Sequence, residues 1–137
     1  MMIVLDASAA VGMVSRTPEG LALAQLLLSG EKVISHDLLS VEVCEAFREY
    51  QRMGETTRAD ALEYVAKAMS LVDELTDVQA LMREALVEAM RLDRSVSDML
   101  YFVLARREGA TLFTLDKELQ SVCLSNGVNC VYLDTEF

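Results

Sequence analysis

The stretch SVSDMLYFVLARREGATLFTLDKEL, residues 95–119, reads as three elements in a row. Asp98 follows Ser95 by three residues, the spacing of a capping box with Asp in place of Glu, so a helix opens there. Its body, MLYFVLA (99–105), is apolar on every side and belongs at the centre of a fold. Gly109 ends the helix, and residues 111–115 suit a strand. That strand runs into a lone acid, Asp116, before a further helix begins at Lys117. The N-terminus repeats the pattern. MMIVLDASAA (1–10) is apolar through Leu5, stops at Asp6, and turns into small helix-forming residues.

Working outward, residues 2–6 form a strand and 7–14 a short helix. Thr17 as N-cap and Pro18 at the first helical position open a helix to about Ser29, ended by Gly30. KVIS (32–35) is a second strand. Asp37 is expected to cap a helix to Met53, stopped by Gly54, with Leu39, Val43, Phe47 and Tyr50 on one face. Thr57 caps a helix reaching about residue 75, with Leu62, Val65, Met69 and Val72 in register, and Asp77 caps another to about 92 with Leu81, Ala85 and Met90. A last strand is expected at 129–133. Four short strands separated by helices imply an α/β fold, with a mainly parallel sheet covered on both faces.

The bulk numbers bound the function. A chain of 137 residues that is 53% hydrophobic is one ordinary domain with a real core. No apolar run approaches the roughly 20 residues of a bilayer span, and Met1–Ala10 lacks the basic and apolar regions of a signal peptide, so a cytoplasmic protein is expected. Cys44, Cys123 and Cys130 include no CxxC pair, and His36 is the only histidine. A standard zinc site is therefore excluded and the thiols are expected to be buried and free. A net charge of −10 gives nucleic-acid binding no support by itself, and setting four acids aside as metal ligands still leaves 18 acids against 12 bases.

Those four acids are Asp6, Glu42, Asp98 and Asp116. In a parallel sheet, ligands bind outside the carboxyl ends of the strands, where Asp6 and Asp116 both lie. Glu42 sits in the first turns of its helix and Asp98 in the first turn of the apolar one, positions where partial positive charge favours a carboxylate. Each acid alone also reads as a helix cap or a solvated side chain. Together they converge on one edge, where their repulsion calls for a cation and would otherwise raise their pKa values. Oxygen ligands without histidine or cysteine suit Mg²⁺ or Mn²⁺, ions able to assist phosphodiester cleavage.

At this point the residues resemble a family. IVLDASAAV, LLSVEVCEAF, SVSDMLYFVLARREGATLFTLDKEL and GVNCVYL are similar, in order and spacing, to the PIN-domain ribonucleases, in particular the VapC-type toxins of bacterial toxin–antitoxin pairs. The resemblance implies a single PIN-like nuclease domain over 1–137, folded as a three-layer α/β/α sandwich. It further implies an Mg²⁺- or Mn²⁺-dependent endoribonuclease that forms a homodimer and meets a cognate antitoxin. Asp6, Glu42, Asp98 and Asp116 match the family's acidic metal and catalytic positions, while Ser8 and Thr114 match its small hydroxyl positions, suited to holding water or phosphate. His36 stands where the family often has proline, read as loop packing, and Glu45 where it often has asparagine. Arg48, Arg52, Arg106 and Arg107 are candidates for RNA or antitoxin contact, against the plain reading as solvated helix charges.

Two rivals remain open at this stage: a catalytically weak or inactive PIN-like binding scaffold, and a phosphoacceptor receiver-type domain. Asp6 has no acidic neighbour and strand two does not end on an aspartate in the receiver manner, which argues against the second. The helices expected over 57–75 and 77–92 carry more apolar residues than one flank of a small sheet needs, with Met69, Leu71, Val72 and Leu75 clustered, so a twofold dimer is expected there.

Overall fold

Ile3, Val4 and Leu5 are consecutive and all fully buried, so this strand is covered on both faces, as strands of a parallel sheet are. It is β1 (Met2–Leu5), and it occupies the interior of the sheet. β2 (Lys32–His36) and β4 (Thr111–Phe113) flank it in parallel, with Ile3 opposite Val33 on one side and Thr111 on the other. β3 (Glu74–Thr76) adds to β2 in parallel and completes the order β3-β2-β1-β4. The structure is a computed structural model that describes residues 1–27 and 30–131.

Helices α1 (Ala7–Ser15) and α2 (Pro18–Leu26) connect β1 to β2, and α3 (Leu39–Arg52) and α4 (Arg58–Ser70) connect β2 to β3. Both crossovers step the same way across the sheet. The third, through α5 (Met82–Leu92) and α6 (Val96–Glu108), returns past β1 to β4. Right-handed crossovers therefore place α5 and α6 on the opposite face, giving three layers. Met99 through Ala105 of α6 are all buried, as their apolar run requires, and the helix packs across β1, β2 and β4. After β4 come α7 (Lys117–Ser125) and a return in which Cys130 bridges Leu112 in parallel.

Thr17, Thr57 and Ser95 cap α2, α4 and α6 by accepting from the amides of Gly20, Asp60 and Asp98 at 3.0, 3.1 and 3.1 Å. α1 and α2 cross with glycine against glycine. A Cβ on Gly20 would fall 2.1 Å from the Gly12 carbonyl carbon and oxygen. Only hydrogen fits between these two backbones.

Several expected elements are built differently. Asp37 does not cap α3, whose N-cap position is Leu38 with no side-chain bond. Its amide instead donates to Thr76 O at 2.9 Å and its carboxylate accepts from Val78 N at 3.2 Å, because the sheet margin competes for the same acid. The helix expected to 75 stops at Ser70. Asp73 clamps Val33 from both sides, donating its amide to Val33 O and accepting from Val33 N, each at 2.8 Å, and this pulls 74–76 into the extended β3. Asp77 caps a 3₁₀ turn, Val78–Ala80, rather than α5. Of the strand expected at 129–133, Asn129 and Val131 bond to Leu112 at 2.8 and 3.1 Å, while 132 and 133 lie outside the described residues, as do Leu28 and Ser29 at the expected end of α2. Cys44 is exposed rather than buried; Cys123 is buried and Cys130 half-buried.

Candidate active site

Parallel pairing brings the ends of β1 and β4 to one edge. The Asp6 amide donates to Phe113 O at 3.1 Å, continuing the ladder one residue beyond β1. Its carboxylate then caps α1, accepting from Ala9 N at 2.9 Å and from Ser8 Oγ at 2.7 Å. Ser8 Oγ also accepts from Leu115 N at 2.9 Å and lies 3.3 Å from Thr114 Oγ1. A single hydroxyl thus ties the start of α1 to the end of β4. Asp6 is buried, and the loss of hydration pushes its carboxyl from 3.8 up to about 6. Hydrogen bonds from Thr114, Ala9 and Ser8 oppose that rise, and the negative charge of Glu42 adds to it.

Glu42 is held from α6, where the hydroxyls of Ser97 and Tyr101 donate to its two carboxylate oxygens. Burial, and then the charge of Glu42, drive the Tyr101 phenol far above its usual range, so it remains a donor. His36 packs on Tyr101 with ring centroids 4.2 Å apart and is fully buried. Its Nδ1 accepts from Leu38 N at 3.2 Å, and burial holds the imidazole below its ordinary pKa despite Glu42 and Asp37. The ring is neutral and bonded through Nδ1 to the turn before α3, with its Nε2 buried and without a partner among the described residues.

Asp98 and Asp116 meet a residue that the sequence reading passed over. Asp98 does not complete a capping box; its Oδ2 accepts from Arg94 Nη2 at 2.9 Å. The same guanidinium lies 4.0 Å from Asp116 Oδ2 and bonds Glu118 at 2.7 Å. Asp116 meanwhile caps α7, accepting from Glu118 N at 2.9 Å and Leu119 N at 3.2 Å, and its own amide donates to Thr114 Oγ1 at 3.1 Å. The repulsion expected among the acids is met here by a cation from the chain itself. The signal in the sequence was an arginine four residues ahead of an acid in a helix's first turn, a pairing distance across a cap.

The contacts form an incomplete ring: Asp6 to Ser8 and Thr114, Thr114 to Asp116, Asp116 to Arg94, and Arg94 to Asp98, while Ser97, next to Asp98 in the chain, holds Glu42, whose charge reaches Asp6. Among the described residues no three acids, histidines or cysteines stand close enough to share one ion. The donor chemistry nevertheless fits a hard divalent ion, since carboxylate oxygens line the ring and its one basic side chain shows that positive charge is accommodated there.

The other nominated residues sit apart from the ring. Arg106 and Arg107 end α6, at the opposite end from Asp98, and both tie α6 to α5. Arg106 bonds Glu84 at 2.7 Å and Glu88 at 3.2 Å while lying over Phe102, and Arg107 bonds Glu84 at 2.6 Å and Ala80 O at 2.8 Å. Both guanidiniums are thus paired within the chain. Arg52 is paired with Glu49 through both nitrogens. Arg48 is exposed, 3.9 Å from Glu45, and lines a hollow of about 330 Å³ with Leu62 and Val65. Glu45 is likewise exposed and stands beside Arg48.

With this geometry in view, likeness to known proteins is informative. The PIN-domain pattern matches residues 3–125. No curated protein matches the sequence. Among solved structures, PAE2754 from Pyrobaculum aerophilum is 23% identical with a TM-score of 0.67, over 88% of this chain and 86% of that one. VapBC2 from Rickettsia felis, bound to a DNA fragment from their promoter, is 15% identical with a TM-score of 0.69, over 98% of this chain and 100% of that one. VapC20 from Mycobacterium tuberculosis, a sarcin-ricin loop cleaving toxin, is 18% identical with a TM-score of 0.64, over 88% and 94%. At these identities the structures speak for the fold, and the α/β/α arrangement is theirs. Matched over most of its length, the chain belongs to the PIN-domain family.

Proposed function

We propose that residues 1–137 are a single nuclease domain, a divalent-metal-dependent endoribonuclease acting as the toxin of a toxin–antitoxin pair in the cytoplasm. The observation that carries this reading is the network that links Asp6, Asp98 and Asp116 through Thr114 and Arg94, with Glu42 held beside it, in a PIN-domain chain. PIN domains generally depend on divalent metal ions. These four carboxylates would hold Mg²⁺ or Mn²⁺, which when bound supplies charge for the scissile phosphate and activates water. Ser8 and Ala9 fix the Asp6 carboxylate, Ser97 and Tyr101 fix that of Glu42, and the backbone of α7 fixes that of Asp116. Thr114 and Ser8 offer hydroxyls beside Asp6 for orienting water or phosphate. Single-stranded or loop RNA suits such an edge because its bases can splay away from the cut phosphate. Loop cleavage by VapC20 supports that substrate class, and VapBC2 supports an antitoxin partner.

Purified protein is expected to cleave loop-containing RNA with Mn²⁺ or Mg²⁺ and to stop in EDTA. Undiminished cleavage in EDTA rejects metal dependence. Failure on every RNA tried leaves the inactive scaffold.

A homodimer belongs to the same reading. Met69, Leu71 and Val72 pack against the core and are not spare. The exposed apolar side chains of this region are instead Leu62 on α4, Leu75 on β3, and Leu86, Val87 and Met90 on α5. Light scattering should give twice 15.2 kDa, and Met90→Asp should lower the mass toward one chain. A 15.2 kDa species at every concentration rejects the dimer.

A further inference from the structure

Arg94 lies in a tight link. α5 closes on Asp93, which adopts the left-handed conformation at φ 53°, and Ser95 already caps α6, so Arg94 has little freedom in where its side chain starts. The side chain is only 18% exposed, and its two terminal nitrogens serve three carboxylates, those of Asp98, Asp116 and Glu118. Its Nε is buried without a partner. A buried donor left unmade costs free energy, so the pose is bound by charge and flawed in its hydrogen bonding. Two of its three acids are those assigned above to metal binding. One positive charge therefore occupies part of a site whose chemistry suits two.

We propose that Arg94 is a built-in counter-ion that competes with the divalent metal for Asp98 and Asp116. The inference rests on the metal-site reading above and adds to it a resident rival for the ion. In the metal-free chain the guanidinium holds these two carboxylates and limits their repulsion. When a divalent ion takes their oxygens, Arg94 gives up both and keeps Glu118, whose exposed carboxylate stands outside the acid ring. The exchange sets a threshold, because the ion must displace a partner already in place. Arg94 is a positioning residue in this scheme. It acts on the carboxylates and makes no contact with the reacting phosphate.

The test is calorimetric titration of Mn²⁺ into the whole metal-free chain at pH 7.5, for wild type, Arg94→Met and Arg94→Lys. Arg94→Met keeps the bulk and removes the charge, and it should bind Mn²⁺ about tenfold tighter. Arg94→Lys restores the charge and should return the affinity to within about threefold of wild type. In EDTA, Arg94→Met should melt below wild type, and saturating Mn²⁺ should close that gap. A structural anchor would instead lose affinity in both variants. In the wild type, the ¹⁵N resonance of Arg94 Nε should move during a Mg²⁺ titration, a readout that needs no variant to fold. Equal or weaker Mn²⁺ binding by Arg94→Met, or an unmoved resonance, overturns the proposal. If wild type still cleaves RNA with Mn²⁺, that failure is the inference's alone. If neither protein binds Mn²⁺ and no RNA is cut, the metal-site reading falls with it.

Discussion

Asp6→Asn is expected to unfold later than wild type in EDTA at pH 7.5 and yet to cleave RNA at least about 100-fold more slowly, the scale of losing one charge-stabilising group from a site. The two effects have one origin. Burial raises the Asp6 carboxyl from 3.8 to about 6, so the fold binds this proton more tightly than the unfolded chain does. A raised pKa contributes stability that is fully present below the unfolded value and lost as pH rises through the folded one. Above pH 6 the metal-free fold therefore carries the full cost of ionising Asp6, about 3 kcal/mol at about 1.4 kcal/mol for each pH unit. Asn resembles the protonated acid, caps α1 about as well, and bears no such cost. The advantage of the variant should shrink to below about 1 kcal/mol near pH 4. Urea denaturation at the two pH values, with EDTA, measures it. A variant less stable than wild type at pH 7.5 would show that the Ser8 and Ala9 bonds need the full charge, and undiminished cleavage would remove Asp6 from the site.

Gly20→Ala is expected to cost about 3 kcal/mol or more, at the upper end of overpacking penalties. The added carbon would lie 2.1 Å from Gly12 C and O and 2.6 Å from Met13 N, and all three are backbone atoms. No rotamer change relieves such a contact, so α2 must move away from α1. Gly12 is the less severe position, since its Cβ would meet Leu115 Cδ1 at 2.6 Å, the end of a side chain that can turn. Gly12→Ala should accordingly be the milder of the two. Thermal melting of both variants decides the order, and a Gly20→Ala protein that melts with wild type contradicts the packing described.

What the sequence disclosed follows the range of the forces involved. Asp6 and Asp116 could be read because each lies where a strand ends and a helix begins, and the caps they make span few residues. Ser8 and Thr114 were named only through the family resemblance, and they meet across more than a hundred positions. Asp37 carried the same local signature and misled, since the edge of the sheet outbid α3 for it. β3 left no trace because three residues set no period, and its pairing depends on Asp73 finding Val33, 40 positions away. Arg94 showed only its four-residue spacing to Asp98, and the rest of its role was hidden for a like reason. Its meaning depends on one guanidinium gathering Asp98 of α6 and Glu118 of α7, the latter 24 positions away.

The tie from Ser8 to Leu115 and Thr114 also governs when the edge comes into being. Synthesis releases β1 first, and this strand must wait more than a hundred residues for β4, its partner on one side. Contacts so distant in sequence form late, because the loop between them must close first. Until then β1 has an unpaired margin and Asp6 lacks the hydroxyl of Thr114. A ribosome translating this message thus carries a growing chain whose acid ring is open until α7 has been made. Whatever chemistry the edge performs can begin only once Thr114 and Asp116 have joined Asp6 and Ser8.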